Sequence, residues 1–517
     1  MGEPVSRQKV TDAQESFAGG LNTVSDPLAL TSGQFRLGRN ARHTEYGALT
    51  KRFGSVSLAS GALPDLPLNG HSWVRFDGTV EALVVTDAGT LYTLNPLATI
   101  GSTAWAAEVG TLSTSIVPVF CEFIDGGGDE VVFIADGATI GKWDGTTFDR
   151  SVAPIPNFKF IKVHNQRLWG IGDETAPASL FYSALNNGDT IGDLTAGGGE
   201  IIVRTFGDER LKALASLGSS LLIFHERGVS RLTGFGQDDV SVDPEGISTK
   251  TGTIAPLSVV ETDNMVFFLS DRGVFVANES GVTPLGTPDR PDPLLPIVVR
   301  LTPAQLAAVR GVLSRKTQEV WFNVPGTGTY VYHLILGVWS GPWTEEHINI
   351  ACMWETPAGA SAEVYVALGL TTNVVRLGDV RDVGTDGGSL ASPTSGTVVP
   401  WRVQCRRLEF KDESETKKLR FGYVTAIIEG GAVIELSWVT NFGAYSGQNM
   451  TGTLIGTWDA AETWDIAEVW ASGLDSQNYQ VHLAGIGNYV DFTLSHDGTD
   501  IPVISRLKID AFALGRR

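Results

Sequence analysis

The sequence predicts an all-β protein: a β-propeller of six or seven blades, a C-terminal β-sandwich and an extended N-terminal arm. Three observations predict it. Along residues 55–386 one pattern recurs, a short apolar run, a tight Gly-bearing turn and a second short run. The turns fall near 88, 136, 174, 227, 272, 326 and 369, a mean spacing of roughly 47 residues, and propeller blades typically take about 40–50. Gly is abundant, 60 in 517 residues, while charged residues make up only 19%. Many short strands joined by turns give that profile; long helices do not.

The clearest hairpins run from Glu81 to Leu94 around Gly89, Glu130 to Trp143 around Gly137, Ser220 to Leu232 around Gly228, and Asn264 to Val276 around Gly273. Their β-branched and aromatic residues suit a pleated buried surface, and Gly supplies the positive φ of a tight turn. Weaker copies join Arg167–Ile171 to Ser179–Tyr182, Glu319–Asn323 to Thr329–Tyr332, and Glu363–Ala367 to Asn373–Leu377. Further runs at Ser72–Phe76, Ile116–Phe120, Phe158–Val163, Ile201–Thr205 and Ile348–Met353 bring the total to about four strands per blade. Seven hairpins make seven blades, or six blades and a sandwich edge. One helix is expected over Leu301–Leu313, with Thr302 as its cap and Pro303 in its first position.

Residues 1–54 do not read as a globular domain. Met1–Ser16 is polar, and Phe17, Leu21, Leu28 and Phe35 then stand isolated among Gly, Asn and Pro. Such spacing predicts a strap lying over a surface; a disordered leader is the alternative. Because the blade pattern does not need these apolar residues, the strap is expected to dock on a neighbouring subunit or an adaptor, and deleting residues 1–50 to leave a folded monomer. Gly387–Pro400 reads as a linker. Over 401–517 the strands lengthen and alternate, as in a sandwich of about 120 residues. Its insert, 441–473, carries Trp458, Trp464 and Trp470 among acidic residues. A spacing of six is neither helical nor alternating, and fits an exposed partner patch or ordinary sandwich core.

The formal net charge is -20 with a pI near 4.8. That excludes condensation on DNA by phosphate neutralisation, which needs clustered Lys and Arg, though not enclosure of DNA. Cys121, Cys352 and Cys405 lie in or beside apolar runs and read as buried thiols. The first 20 residues lack an apolar signal core, and no stretch suits a membrane span, so the chain reads as made in the cytosol and soluble.

Candidate chemistry is sparse. His225-Glu226 lacks the second His of a zincin helix and reads as a solvated turn pair. Asp125, Asp129 and Glu130 resemble part of a calcium loop, but too few acids have usable spacing for a site needing six to eight oxygens. Asp173-Glu174 and Glu345-Glu346 read as solvated loop acids rather than glycosidase carboxylates. Ser495-His496-Asp497-Gly498 matches a sialidase Asp-box only in part. Arg406-Arg407 and Lys417-Lys418 read as a solvated sheet face in preference to contacts with acidic neighbours. No Walker loop, dinucleotide fingerprint or nucleophile elbow occurs. Hence no catalytic residue, metal site or cofactor is expected.

Phe17-Ala-Gly-Gly-Leu-Asn22, Asp26-Pro-Leu28, Gln34, Arg39-Asn40 and Gly47-Ala-Leu-Thr-Lys-Arg-Phe-Gly54 resemble the opening of many phage tail proteins. The stretches Leu211–Gly228, Gly252–Ile254 and Phe267–Phe275, then Glu319–Phe322, Trp339-Ser-Gly-Pro-Trp343 and Arg506–Asp510, resemble the tail nozzle, or hub, proteins of short-tailed phages. The resemblance spans nearly the whole chain in order, and its most specific part is the arm. It implies a virion structural protein of the tail, assembled in the host cytoplasm, without catalytic residues. It further implies a hexameric ring below the portal and its adaptor, contacts to a tail fibre or tailspike, and double-stranded DNA passing through the lumen without specific binding. A glycan-binding or glycan-cleaving propeller, or another tail component such as a stopper, is the alternative reading.

Overall fold

The computed structural model describes the chain except for residues 1–8, 45, 97–102, 109–111, 151–155, 204–209, 235–239, 243–245, 357–362, 378–384, 387–396, 410–416, 429–432, 452–476, 500 and 514–517. Seven four-stranded antiparallel sheets form the blades of a β-propeller. Blades 1 to 6 occupy residues 67–107, 119–149, 160–202, 211–242, 260–284 and 310–343. Blade 7 takes three strands from 350–377 and a fourth, Ser55–Ser57, from just after the arm. The pairing of Ser57 with Val375 therefore closes the ring. All seven expected hairpins are the second-to-third-strand turns of the blades.

The middle strands read as unbroken apolar runs because blades stack face to face. In Glu130–Ala135 every residue after Glu130 is buried, and in Val266–Ser270 every residue is. Turn chemistry fixes their ends. Gly273 has φ +104°, and a Cβ there would meet Asp292 Oδ2 at 2.6 Å. Asp292 is itself buried and accepts the backbone N–H groups of Val274 (2.7 Å) and Leu294 (2.8 Å). Burial pushes its carboxyl up to about 6, against the pull of those two N–H groups.

The expected helix is shorter than the sequence pattern suggests. It spans Pro303–Ala307, with Thr302 and Gln305 forming a capping box, and Arg310–Ser314 is already the inner strand of blade 6. The cap was legible, but β-branched Val309 and Val312 favour the sheet that the neighbouring strand offers.

Thr385–Asp386 and Thr397–Val398 pair as a two-stranded sheet, and the other strands form two seven-stranded sheets. One orders Ala41–His43, Leu49–Lys51, Val503–Ala513, Lys417–Ile427 and Gln477–His482, with Lys9–Gln14 added to Val503–Ala513 and Ile486–Gly487 to Lys417–Ile427. The other orders Gly20–Leu21, Gln34–Arg39, Trp401–Cys405, Tyr489–His496, Val433–Thr440 and Gly443–Thr451, with Leu408–Glu409 added to Tyr489–His496. Lys417–Ile427 alternates buried and exposed positions, as expected of a sheet with one face in a core. Both sheets contribute to one apolar cluster with blades 5 and 6, through Phe35, Trp438, Phe492 and Leu507 among others.

Residues 9–54 are therefore not a strap over a neighbour. They supply strands to both long sheets, and Phe17, Leu21 and Phe35 are 0%, 3% and 0% exposed within the chain. Isolated apolar residues suffice there because each sits in a short strand completed by distant partners. Among the described residues, no helix is long and apolar enough to cross a membrane.

Candidate functional site

The first strand of each blade lies innermost, against its neighbours around the propeller axis. Where the inner strands of blades 2 to 6 begin, they leave a funnel of about 320 Å³. Its wall is apolar, with Ile116, Val119, Phe160, Leu211, Ile254 and Leu257. Lys159, Arg210 and Lys212 stand at it as cations, facing the acids Asp173 and Glu174. Glu174 pairs with Lys159 and, at 3.2 Å, with Arg210, which hold its carboxyl below the ordinary value. Asp173 is turned to local work, accepting from Thr175 N (2.7 Å) and Asn157 N (3.2 Å). Lys212 lies 3.8 Å from the exposed Glu226. Among the described residues the funnel thus joins an apolar wall to a rim that carries Lys159, Arg210 and Lys212 with Asp173 and Glu174.

Elsewhere on the inner strands, charged groups bind blade to blade. His71 Nε2 meets Glu122 at 2.8 Å and its ring stacks on Phe120. Lys162 of blade 3 reaches past blade 4 to Glu261 of blade 5 at 2.7 Å, and Glu261 also accepts Ser216 N–H. Arg310 donates to the carbonyls of Ala351 (3.1 Å) and Ala308 (2.9 Å), tying blade 6 to blade 7, and burial pulls its pKa below the usual guanidinium value.

A second polar centre joins arm, long sheets and propeller. Asn40 is fully buried with φ +54°, a left-handed conformation that Asn tolerates better than most residues. Its Oδ1 accepts from Thr344 N (2.8 Å) and Arg52 Nε (3.1 Å), and its Nδ2 donates to Pro400 O (2.7 Å) and Glu345 Oε2 (2.6 Å). Arg39 pairs with Glu345 as well. Burial alone would raise the Glu345 carboxyl; the bonds from Thr344, Asn40 and Arg39 hold it below its ordinary value. Beside this clasp, Arg42 pairs with the fully buried Glu319 at 2.9 Å and lies over the Phe53 ring.

The residues expected to form an assembly arm divide. Phe17 and Phe35 meet edge to face at 6.2 Å in the core, Leu21 is beside them, and Leu28 alone stays exposed, at 52%. Trp458, Trp464 and Trp470 lie outside the described residues, as does most of the linker 387–400. His225 is not solvated: it ends the buried strand Ser220–His225, contacts Ser230 Oγ at 2.8 Å, and burial lowers its pKa to about 4. Only Glu226 faces solvent. The basic pair Arg406-Arg407 also departs from expectation, with Arg406 on Asp12 (2.7 Å) and Arg407 on Asp491 (2.6 Å). Lys417 is buried. Those acids lie far off in sequence, so no local pattern could announce them.

At the calcium-like loop, Asp125 Oδ1 accepts from Gly127 N and Asp129 N, and Lys142 Nζ sits 3.2 Å from both Asp125 and Asp189. Burial pushes the Asp125 carboxyl up, but these donors outweigh it and hold it below the ordinary value. The ammonium thus occupies the space between Asp125 and Asp189 and offsets one of their two charges. Among the described residues no group of three or more His, Cys, Asp or Glu is arranged to hold a metal. Glu346 accepts from Ser55 Oγ, and His496 Nδ1 meets Val433 O. The three cysteines are free and buried, and burial pushes each thiol up to about 12.

No family model and no curated protein matches the chain. Solved structures that are similar to it include the computationally designed Ika8 protein (11% identity, 62% of this chain and 99% of that one, TM-score 0.38). BBS1N, in complex with ARL6DN, is 10% identical over 64% of this chain and 98% of that one, with TM-score 0.41. PorZ, a surface component of the type-IX secretion system of Porphyromonas gingivalis, is 12% identical over 78% of this chain and 58% of that one, with TM-score 0.40.

Proposed function

We propose that the chain is a structural subunit of a phage tail, a nozzle that assembles as a hexameric ring, retains the packaged genome and conducts it on ejection. The observation that carries this reading is the clasp. Arg39, Asn40 and Arg52, which belong to the most specific part of the resemblance, are the positions where arm, long sheets and blade 6 meet around Thr344 and Glu345. The resemblance therefore rests on residues with a demanding structural task. A clasp of this kind makes one unit of propeller and long sheets, which suits a part that bears the pressure of a packaged genome.

Charge supports the same reading. Six copies would carry 6 × -20 = -120, so passing phosphates would meet repulsion or neutrality rather than fixed counter-charges. The acids and histidines weighed as catalytic groups are engaged in local bonds, which favours a structural role. In the ring the subunit would contact the portal adaptor and a fibre or tailspike. The test is native mass spectrometry of the purified chain, with cryo-electron microscopy of tails from the phage that encodes it. Six copies in a ring below the portal, and no duplex binding at physiological salt, are expected. A chain absent from virions, or one that binds duplex tightly and salt-dependently, would overturn the reading.

A further inference from the structure

The axial funnel has the size of a small-molecule site. Its volume of about 320 Å³ lies in the usual range for such sites, about 300–1,000 Å³. One turn of α-helix, about 10 Å across and about 5.4 Å long, takes about 420 Å³, so the recess suits a small molecule better than a folded element. The side chains of Ile116, Val119, Phe160, Ile254 and Leu257 line it without a single hydrogen-bonding atom. The strand that brings two of its cations is irregular at the lip. Leu211 pairs with His225 and Ala213 with Phe224, so the register shifts and Lys212 is the extra residue. Neighbours on a regular strand point to opposite faces. A bulge re-aims them, and here Arg210, Leu211 and Lys212 all line the funnel. The Leu211 N–H on the Pro177 carbonyl, at 3.1 Å, ties this bulge to blade 3.

At the rim the acceptors are filled and the donors are not. Glu174 gives one carboxylate oxygen to Lys159 and the other to Arg210. Asp173 accepts from Asn157 N through one oxygen, and from the N–H and hydroxyl of Thr175 through the other. An ammonium offers three N–H groups and a guanidinium five. Among the described residues, Lys159 and Arg210 share the one Glu174 carboxylate, and Lys212 stands 3.8 Å from Glu226. All three cations therefore keep N–H groups for an incoming acceptor, whereas neither acid has an oxygen left for an incoming donor.

We propose that the funnel binds a single-chain amphiphilic anion, an alkyl carboxylate or sulfate, with its chain on the aliphatic wall and its head accepting from Lys159, Arg210 and Lys212. A sugar would turn hydroxyls toward a wall that cannot bond them, at a desolvation cost. A cationic head would find both acids engaged. The site needs neither a second copy nor DNA, so it stands apart from the ring reading.

The test is calorimetry of the full chain with hexanoate, octanoate and decanoate, each below its micelle concentration. The Kd should fall about two- to fourfold per added methylene. Decyl sulfate should bind like decanoate, decanol about tenfold more weakly, and decyltrimethylammonium not at all. Arg210→Glu with Lys212→Glu should weaken decanoate about tenfold or more. These side chains are 60% and 29% exposed, so the fold should tolerate both changes, which circular dichroism checks. A decanoate analogue with a diazirine on its chain should label 116–119, 159–160 or 254–257. No binding at about 1 mM, an affinity indifferent to chain length or to the charge reversals, equal binding of the cationic amphiphile, or labelling elsewhere overturns the proposal. So does capture by vesicles of anionic phospholipid without binding of decanoate, which would make the recess part of a membrane contact. Ring formation and duplex binding are read by other measurements, so a ring whose funnel ignores decanoate defeats this inference alone, and a monomer that binds it defeats the ring reading alone.

Discussion

Asn40→Ala should loosen the junction between propeller and long sheets more than most single changes could. The substitution removes the acceptor of Thr344 N–H and Arg52 Nε, and Asn40 is fully buried. A buried donor left without its acceptor costs about 1–3 kcal/mol. Ala in the left-handed conformation that Asn40 adopts, φ +54°, adds about 1–2 kcal/mol. With two such donors the total is about 3–8 kcal/mol of local stability. Asn40→Gly removes the same hydrogen bonds but not the backbone freedom, so it should be milder than Ala by about 1 kcal/mol. Because a chain of 517 residues with several cores need not unfold in one step, hydrogen exchange is the appropriate assay. Peptides covering 341–346 and 398–405 should exchange faster by two or more orders of magnitude in the Ala variant, while blades 1 to 4 stay protected. Protection of 341–346 unchanged within about tenfold, or an Ala variant no worse than Gly, would refute the assignment of the clasp.

Three further outcomes are expected. Burial lowers His43 and His225 from 6.5 to about 4, so the neutral rings favour the fold. Their contribution is intact above pH 6.5 and is lost as pH falls toward 4, by about 3 kcal/mol for each at the acid end; urea midpoints at pH 7, 5 and 4 measure it, and a flat profile would contradict it. Phe17→Ala should destabilise the long sheets by about 3–5 kcal/mol, and deletion of residues 1–50 should give an aggregating chain rather than a folded monomer, which light scattering and dye binding distinguish. Arg407 pairs bidentately with Asp491 and lies 3.9 Å over the Tyr489 ring, so a double-mutant cycle with Asp491→Ala should give a coupling of about 1 kcal/mol, reduced in salt.

What could be read from the sequence was whatever local chemistry dictates. The seven hairpins were legible because each needs a glycine or short polar turn between runs buried on both faces, as at Gly89, with φ +77°, and Gly137, with φ +78°. The change after residue 400 was legible because one-sided burial forces alternation, as in Lys417–Ile427. Ring closure was not. Ser55–Ser57 is three residues long and pairs across more than 300 positions with Val374–Leu377, and no property of either strand names the other. The arm failed for the same reason with a further twist. Lys9–Gln14 reads as polar and mobile, yet it pairs residue for residue with Leu507–Phe512, and Gln14 is buried with its amide donating to the carbonyls of Ser16, Ser32 and Gln34.

The funnel lay further still from any sequence signal. Its wall draws from five separate stretches, 116–119, 159–177, 210–212, 254–257 and Ala307, so no one stretch of chain contains enough of it to form a motif. The clasp is the opposite case. Asn40 and Arg52 were conspicuous within a short arm pattern, but their purpose depends on Thr344, Glu345 and Pro400, some 300 to 360 residues away. A motif can therefore be recognised as a unit while its role is misjudged. Here the arm residues that looked reserved for a neighbour complete the chain's own core, and among the described residues the groups left over for a partner include Leu28 and the funnel. If the chain assembles, its contacts should be sought at those places, because burial inside the subunit has already consumed Phe17, Leu21 and Phe35.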